Sequence, residues 1–305
     1  MGRIARAARW GLSLVCLAWA FRGVPLAALW DVLRGFPVLP MIATVAVTFV
    51  SYAVAALRLS RMAQPPLPLR STFLATLAGL AINNVVPAKA GELAKAAWLA
   101  RDAGTGVGPC LGLVIMERFF DVNVLALLGL WTLWGTHERV AAGLLACLVA
   151  GWAVLIALRR RPGLVARLPS EGILGSLGRA LIASVDQTGP GRLVWLGVSS
   201  LALWIVYTVQ MGVALIGAAG LELGPMGVLR ALTASGLGML LPSSPGALGV
   251  YEAAMMSALA SSGVPRDQAL AAALFAHMAQ FVPVTLAGGA AILALPARSK
   301  EGIDP

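Results

Sequence analysis

Apolar residues run along this chain in long blocks, and most of the charge falls between them. A helix needs about 20 consecutive apolar residues to cross the hydrocarbon core of a bilayer. Blocks of this kind at 9–30, 38–57, 107–134, 140–158, 193–219 and 269–295 each predict a transmembrane helix. The first is interrupted by Arg22 and Pro25, and the third contains Glu117, Arg118 and Asp121. Two further segments, 72–100 and 226–262, are apolar at both ends and broken in the middle. Asn83, Asn84, Pro87, Lys89, Gly91 and Glu92 interrupt one; Pro242, Pro245, Gly246 and Gly249 interrupt the other. A continuous helix loses backbone hydrogen bonds at such a break. Broken backbone at membrane depth persists only where it is buried in protein or lines a watery cavity. Both segments therefore read as re-entrant hairpins, two half-helices meeting at a polar tip, with two kinked full-length helices as the alternative.

Charge placement bears on the same question. Let the N-terminus be cytoplasmic, count six spans, and return each hairpin to its own side. Of 23 lysines and arginines, sixteen then face the cytoplasm, Arg58 and Lys95 among them. Five face outward (Arg22, Arg34, Arg139, Arg230 and Arg266), and Lys89 and Arg118 remain at membrane depth. Making either hairpin a single span puts the next basic cluster on the wrong side. The expected protein is thus an all-α, multi-pass protein of the bacterial inner (plasma) membrane with both termini cytoplasmic.

The order span, span, hairpin, span occurs twice. It divides a single membrane domain, 1–305, into a first repeat at 1–135 with its hairpin at 71–102, and a second at 138–297 with its hairpin at 226–263. Each half makes three crossings, so the halves are expected to lie inverted. Glu92 and Glu117 are 25 residues apart, as are Glu252 and His277, and Pro87 and Pro242 fall near the two tips. Inverted repeats whose broken helices meet at the midplane are an architecture of transporters. The N-terminus also has signal-peptide features: Arg3, Arg6 and Arg9, an apolar run at 10–17, and Ala18-Trp19-Ala20. The repeat requires that helix to be retained.

Composition narrows the function classes. Apolar residues make up 59% of the 305, and only 12% are charged. A soluble domain carries about 25% charged residues, so lipid must cover much of this surface. The net charge of +10 is better explained by arginine clusters that orient the chain than by nucleic-acid binding. Cys16, Cys110 and Cys147 lie far apart in apolar runs, and His137 and His277 complete no zinc-binding set. No P-loop, H-E-x-x-H or G-x-S-x-G occurs. No metal or cofactor is expected, and nothing powers transport by nucleotide hydrolysis. Trp30, Trp131 and Trp134 fit an outer interfacial belt.

The candidate chemistry lies in the charges within apolar blocks. Each such group costs about 2.5 to 3.5 kcal/mol at the bilayer centre, so Lys89, Glu92, Glu117, Arg118, Asp121, Glu252 and His277 must face inward, pair, or line a cavity. Lys89, Glu92 and Lys95 recur at i, i+3, i+6, placing the acid between two bases on one stripe. Glu117 and Asp121 share a helix face, and Arg118 lies three residues from Asp121. Two acids and one arginine leave a surplus negative charge; Lys89 is a candidate partner. The network either braces helices or forms a polar cavity. In the second hairpin, Ser243, Ser244, Gly246 and Gly249 form a turn whose glycines permit close approach of backbone. Amides freed at a half-helix start can hold an anion. His277 reads either as a satisfied interior histidine or as a proton carrier.

Three motifs in order carry a resemblance. Asn-Asn-x-x-Pro-x-Lys-x-Gly-Glu-x-x-Lys from Asn83 to Lys95, Glu-Arg-x-x-Asp from Glu117 to Asp121, and Pro-Gly-x-x-Gly-x-x-Glu from Pro245 to Glu252 resemble the lysylphosphatidylglycerol synthase transmembrane region family. The similarity spans roughly 38–295. In multidomain members this region is taken to flip aminoacylated phosphatidylglycerol between leaflets, while a separate soluble domain makes the lipid. The resemblance implies a stand-alone member without a synthetase domain, whose lipid need not be the same. Many relatives have Gly-Gly-Asp where this chain has Gly91-Glu92, which keeps the acid and leaves headgroup preference open.

The leading expectation is a lipid translocator. A headgroup would pass between the hairpins, with a phosphate held by Arg118 and Lys89. Glu92, Glu117, Asp121 and Glu252 would balance charge, take an ammonium group or carry protons. Its partner would be a membrane lipid, either a phospholipid or a polyprenyl-type glycolipid. Lipid-synthesising enzymes and a second copy of the chain are further candidate partners. The alternatives are a membrane-embedded transferase on a lipid-linked substrate and an assembly factor for lipid-modifying enzymes.

Overall fold

The structure, a computed structural model, describes residues 3–86, 90–160 and 189–295. Among the described residues every regular element is helical. The elements are α1 (Arg3–Phe21), α2 (Leu26–Arg34), α3 (Val38–Met62), α4 (Leu69–Val85), α5 (Gly91–Ala103), α6 (Val107–Leu133), α7 (Glu138–Arg160), α8 (Pro190–Gly212), α9 (Pro225–Leu240), α10 (Val250–Ala260) and α11 (Arg266–Leu293). A π-helical turn, Val213–Ala218, continues α8.

Among the described residues, four helical segments are long and apolar enough to cross a membrane: Val38–Met62, Glu138–Ala157, Gly191–Ala218 and Arg266–Leu293. A fifth is added if α1 and α2 count as one broken span. The interrupted span expected at 9–30 is built as two helices. The chain bends by 81° between α1 and α2, at Gly23, whose φ is +74°, and Pro25, which cannot donate to the preceding turn. Helix α6 has 27 residues, and Glu117, Arg118 and Asp121 sit at its centre. Large apolar side chains on the outer faces, including Leu39, Trp131, Trp134, Ile205 and Leu286, are exposed, as expected of lipid-facing positions.

Both broken segments form antiparallel helical hairpins. At the mouth of the first, Ser71 Oγ donates to Asp102 Oδ2 at 2.6 Å. Near its tip, Gly91 N–H donates to Asn83 Oδ1 at 2.8 Å. The α4 and α5 backbones touch where both residues are glycine: a Cβ on Gly91 would lie 1.8 Å from the Gly79 carbonyl oxygen. On the other side of α4, a Cβ on Gly288 of α11 would lie 2.2 Å from the Leu77 carbonyl oxygen. Small residues permit such approach within membranes. In the second hairpin, Gly227 lies beside Ser262 at the mouth, and Gly238 lies beside Val250 and Ala254 near the tip. Pro87, expected near the first tip, lies outside the described residues, as do 161–188.

In the first half, α3 packs on α4, α4 on α5 and α5 on α6. In the second, α8 packs on α9, α9 on α10 and α10 on α11. Across the halves, α4 packs on α11 and α9 on α6; α2 lies on α11 and α7 on α6; α3 lies on α8. Each of these pairings has a counterpart when α2 to α6 are matched in order with α7 to α11. Helix α1 packs against α10, and Ala20 at its end is wholly buried. Helix α4 of the first hairpin packs against the turn Pro245–Ala247 of the second.

Candidate functional site

Six charged side chains from α3, α5 and α6 form one network. Arg58, near the end of α3, donates from Nη1 to Asp121 Oδ1 at 2.5 Å and to Ser200 Oγ of α8 at 2.7 Å. Its Nη2 donates to Asp121 Oδ2 at 2.9 Å and to Glu117 Oε1 at 3.0 Å. Lys95 Nζ, on α5, donates to Glu117 Oε2 at 2.6 Å. Arg118 Nε donates to Glu92 Oε1 at 3.0 Å, and its Nη1 lies 3.7 Å from Asp121 Oδ2. Helical spacing sets this up: Glu117 and Asp121 share the α6 face turned toward α3. Among the described residues three acids meet three cations, so that set is neutral.

The sequence reading needs two corrections here. The surplus acid is balanced by Arg58 and Lys95; Lys89, named for that role, lies outside the described residues. Arg58 and Lys95 were also counted among residues facing the cytoplasm, yet both are buried, Arg58 to 1% exposure. Glu92 and Lys95 share the expected stripe but do not pair; they engage Arg118 and Glu117 across to α6. Arg58 was missed because an arginine at a segment end also reads as a loop residue. The demand for another cation was the signal that could have found it.

Burial grades the network. The side chains of Arg58, Lys95 and Glu117 are enclosed, whereas those of Arg118 and Glu92 are 43% and 24% exposed. Glu92 Oε2 is buried with no hydrogen-bond partner among the described residues, as is Arg58 Nε. Asn83 Nδ2 stands 3.5 Å from Glu92 Oε1. Asn84 points elsewhere, donating to Thr285 Oγ1 at 2.8 Å and the Phe281 carbonyl at 3.4 Å on α11.

The second hairpin holds a separate cluster. Its short turn Pro245–Ala247 contains Gly246 at φ +67°, and Gly249 at φ +84° precedes α10. A Cβ on Gly246 would lie 2.3 Å from the Phe281 ring, so the end of α4, through Asn84, and the second connector both meet α11 at Phe281. Ser244 N–H donates to Ser13 Oγ of α1 at 3.0 Å. Ser243, beside it, is half-buried in the connector. Glu252 Oε2 accepts the Gly249 N–H at 2.6 Å, capping α10, and Oε1 lies 2.6 Å from His277 Nδ1. The expected anion-binding turn therefore has one amide satisfied by Ser13 and another by Glu252. The sequence-named residues thus fall into two clusters: Asn83, Glu92, Lys95, Glu117, Arg118 and Asp121 in one, and Ser244, Gly249, Glu252 and His277 in the other. Among the described residues no group of His, Cys, Asp or Glu is placed to hold a metal ion.

Chemically, the first cluster offers a half-buried guanidinium beside a carboxylate with an acceptor unused among the described residues. Such a pair can hold a phosphate and, next to it, an ammonium or hydroxyl group. No curated protein and no solved structure matches the chain. The family model for the lysylphosphatidylglycerol synthase TM region matches residues 6–288. A polytopic helical chain with this charged core, matched by that model over nearly its whole length, belongs to the lysylphosphatidylglycerol synthase transmembrane-region family.

Proposed function

We propose that this protein moves a lipid headgroup across the inner membrane, passing it between two re-entrant hairpins while the tails stay in the bilayer. The observation that carries this reading is the pair Arg118 and Glu92. It stands at the open edge of an otherwise buried ion network, and Glu92 Oε2 has no hydrogen-bond partner among the described residues. An unsatisfied buried acceptor is costly. At this partly open edge a donor from a headgroup would satisfy it. Arg118 would take the phosphate, and Glu92 an ammonium or hydroxyl group; Arg58, Lys95, Glu117 and Asp121 hold that pair in place.

Helix lengths support the re-entrant reading. At 1.5 Å per residue, α5 with 13 residues spans about 20 Å and α10 with 11 spans about 16 Å. Both are short of the ~30 Å hydrocarbon core. The matched pairings of α2 to α6 with α7 to α11 support an inverted duplication, with the two connectors meeting near the midplane.

The test is reconstitution of the purified protein in liposomes containing fluorescent phospholipid, with outer-leaflet dye bleached by dithionite. The expected result is bleaching that proceeds past one half, while mass spectrometry finds the lipid unaltered. A lipid whose mass changes would instead identify a membrane-embedded transferase. Neither movement nor a mass change, across phospholipid and polyprenyl-linked probes, would contradict translocation.

A further inference from the structure

Glu252 and His277 lie apart from the Arg118–Glu92 pair and have no part in the reading above. They differ from the first cluster in charge balance. There, three acids meet three permanent cations. Here, among the described residues, a buried carboxylate is ion-paired only with a histidine, also buried, at 2.6 Å. The pair is neutral when the imidazole carries two protons, and has a net charge of −1 when it carries one. Burial heavily penalises a carboxylate that no cation matches.

Neighbouring elements do not supply that cation. Among the described residues, Glu252 has no ion pair with lysine or arginine. On α3, Arg58 is engaged by Glu117 and Asp121. On α2, Asp31 and Arg34 pair with each other at the surface. On α11, Arg266 is held by the carbonyls of Arg22 and Trp19. Arg9 of α1, Arg61 of α3, Arg70 of α4, Arg230 of α9 and Asp267 of α11 stand toward helix ends and pair with neither residue. The titratable neighbours that remain are Tyr251, stacked on His277 at 4.2 Å, and Tyr52 of α3, which is within coulombic reach of Tyr251. Neither can supply a positive charge.

We propose that Glu252 and His277 form a proton-binding site that couples proton uptake and release to the tip of the second hairpin. With Nδ1–H directed at Glu252 Oε1, the proton taken from water enters on Nε2, the other ring nitrogen. That converts a neutral ring into an imidazolium paired with the carboxylate; release returns the proton to water and leaves the carboxylate unmatched. The same carboxylate holds the tip. Its Oε2 accepts the N–H of Gly249, the positive-φ residue at the start of α10. The tip is also held from α1, through Ser13 and Ser244. A Cβ on Gly249 would lie 2.5 Å from the Ser13 carbonyl oxygen, so the tip has little room to move while α1 stays in place. An unmatched charge on Glu252 favours states in which water reaches it, and those require the Gly249 contact to open. The coupling to lipid movement rests on the translocator reading; the proton site does not.

The chain has two histidines, so His137→Gln leaves His277 as the sole reporter. In the His137→Gln protein, labelled with 15N-histidine and placed in nanodiscs, NMR should show the His277 ring gaining and losing a proton as the pH is varied, and adding Glu252→Gln should displace or abolish that change. A ring that stays in one form throughout, or whose response is the same with and without Glu252, would overturn the proton site. In liposomes, lipid movement should be several-fold faster with an imposed pH gradient than after a protonophore collapses it, and His277→Asn should lose the difference. Wild-type movement indifferent to the gradient would overturn the coupling and leave the translocator reading standing. No movement under any gradient would overturn the translocator reading and the coupling with it, and the ring's protonation alone would then decide the proton site.

Discussion

Arg58 and Arg118 both bind acids, yet their surroundings assign them different work. Arg58 is enclosed and donates to Glu117, Asp121 and Ser200. Removing it strands Asp121, because Arg118 Nη1 is 3.7 Å away and Lys95 is engaged by Glu117. Breaking a buried pair from one side costs about 3 to 5 kcal/mol, so Arg58→Met should lower thermal stability in detergent by that order. Adding Asp121→Leu restores a balanced set, Lys95 with Glu117 and Arg118 with Glu92, and should recover at least half of the loss. Strictly additive losses in melting experiments would contradict a shared network. The acids Glu92, Glu117 and Asp121 were legible in the sequence, because charge inside an apolar block must find a partner. Which cations answer them was not. Arg58 and Lys95 lie 59 and 22 residues from Glu117, and one sequence does not say which helices abut.

At the scale of elements, the hairpins depend on glycine contacts more than on apolar bulk. A Cβ on Gly91 or Gly288 meets a backbone carbonyl at 1.8 or 2.2 Å, and backbone within a packed helix pair cannot step aside. Gly91→Ala and Gly288→Ala should each force α4 away from its neighbour and sharply reduce the folded yield, read as the monodisperse fraction in size-exclusion chromatography. Gly143→Ala, in α7, meets nothing within 4 Å and should be neutral or stabilising by about 0.5 to 1 kcal/mol. Equal behaviour of all three would contradict this packing. The Pro/Gly-rich centres made both hairpins readable from sequence, since they combine helix breakers with polar groups amid apolar flanks. The 81° bend between α1 and α2 was partly visible in Pro25. Its size depends on Gly23 adopting positive φ, which composition does not dictate.

At the scale of the whole molecule, the proposed topology puts the loop at Thr105 on the cytoplasmic side and those at Thr136 and Ser262 outside. All three positions are exposed. With Cys16, Cys110 and Cys147 replaced, single cysteines there should react with an impermeant maleimide from those sides only. Thr105 labelled from outside would show the first hairpin crossing the bilayer. The most direct test of headgroup translocation is the rate of lipid movement in proteoliposomes for wild type, Arg118→Lys and Arg118→Gln, measured beside the melting temperature of each. Arg118 is 43% exposed, and Asp121 keeps Arg58 when it is replaced, so both variants should remain folded. The expected result is a loss of at least tenfold for Arg118→Gln, with partial retention by Arg118→Lys, which keeps the charge but not the forked geometry. Wild-type rates in a folded Arg118→Gln protein would contradict the account.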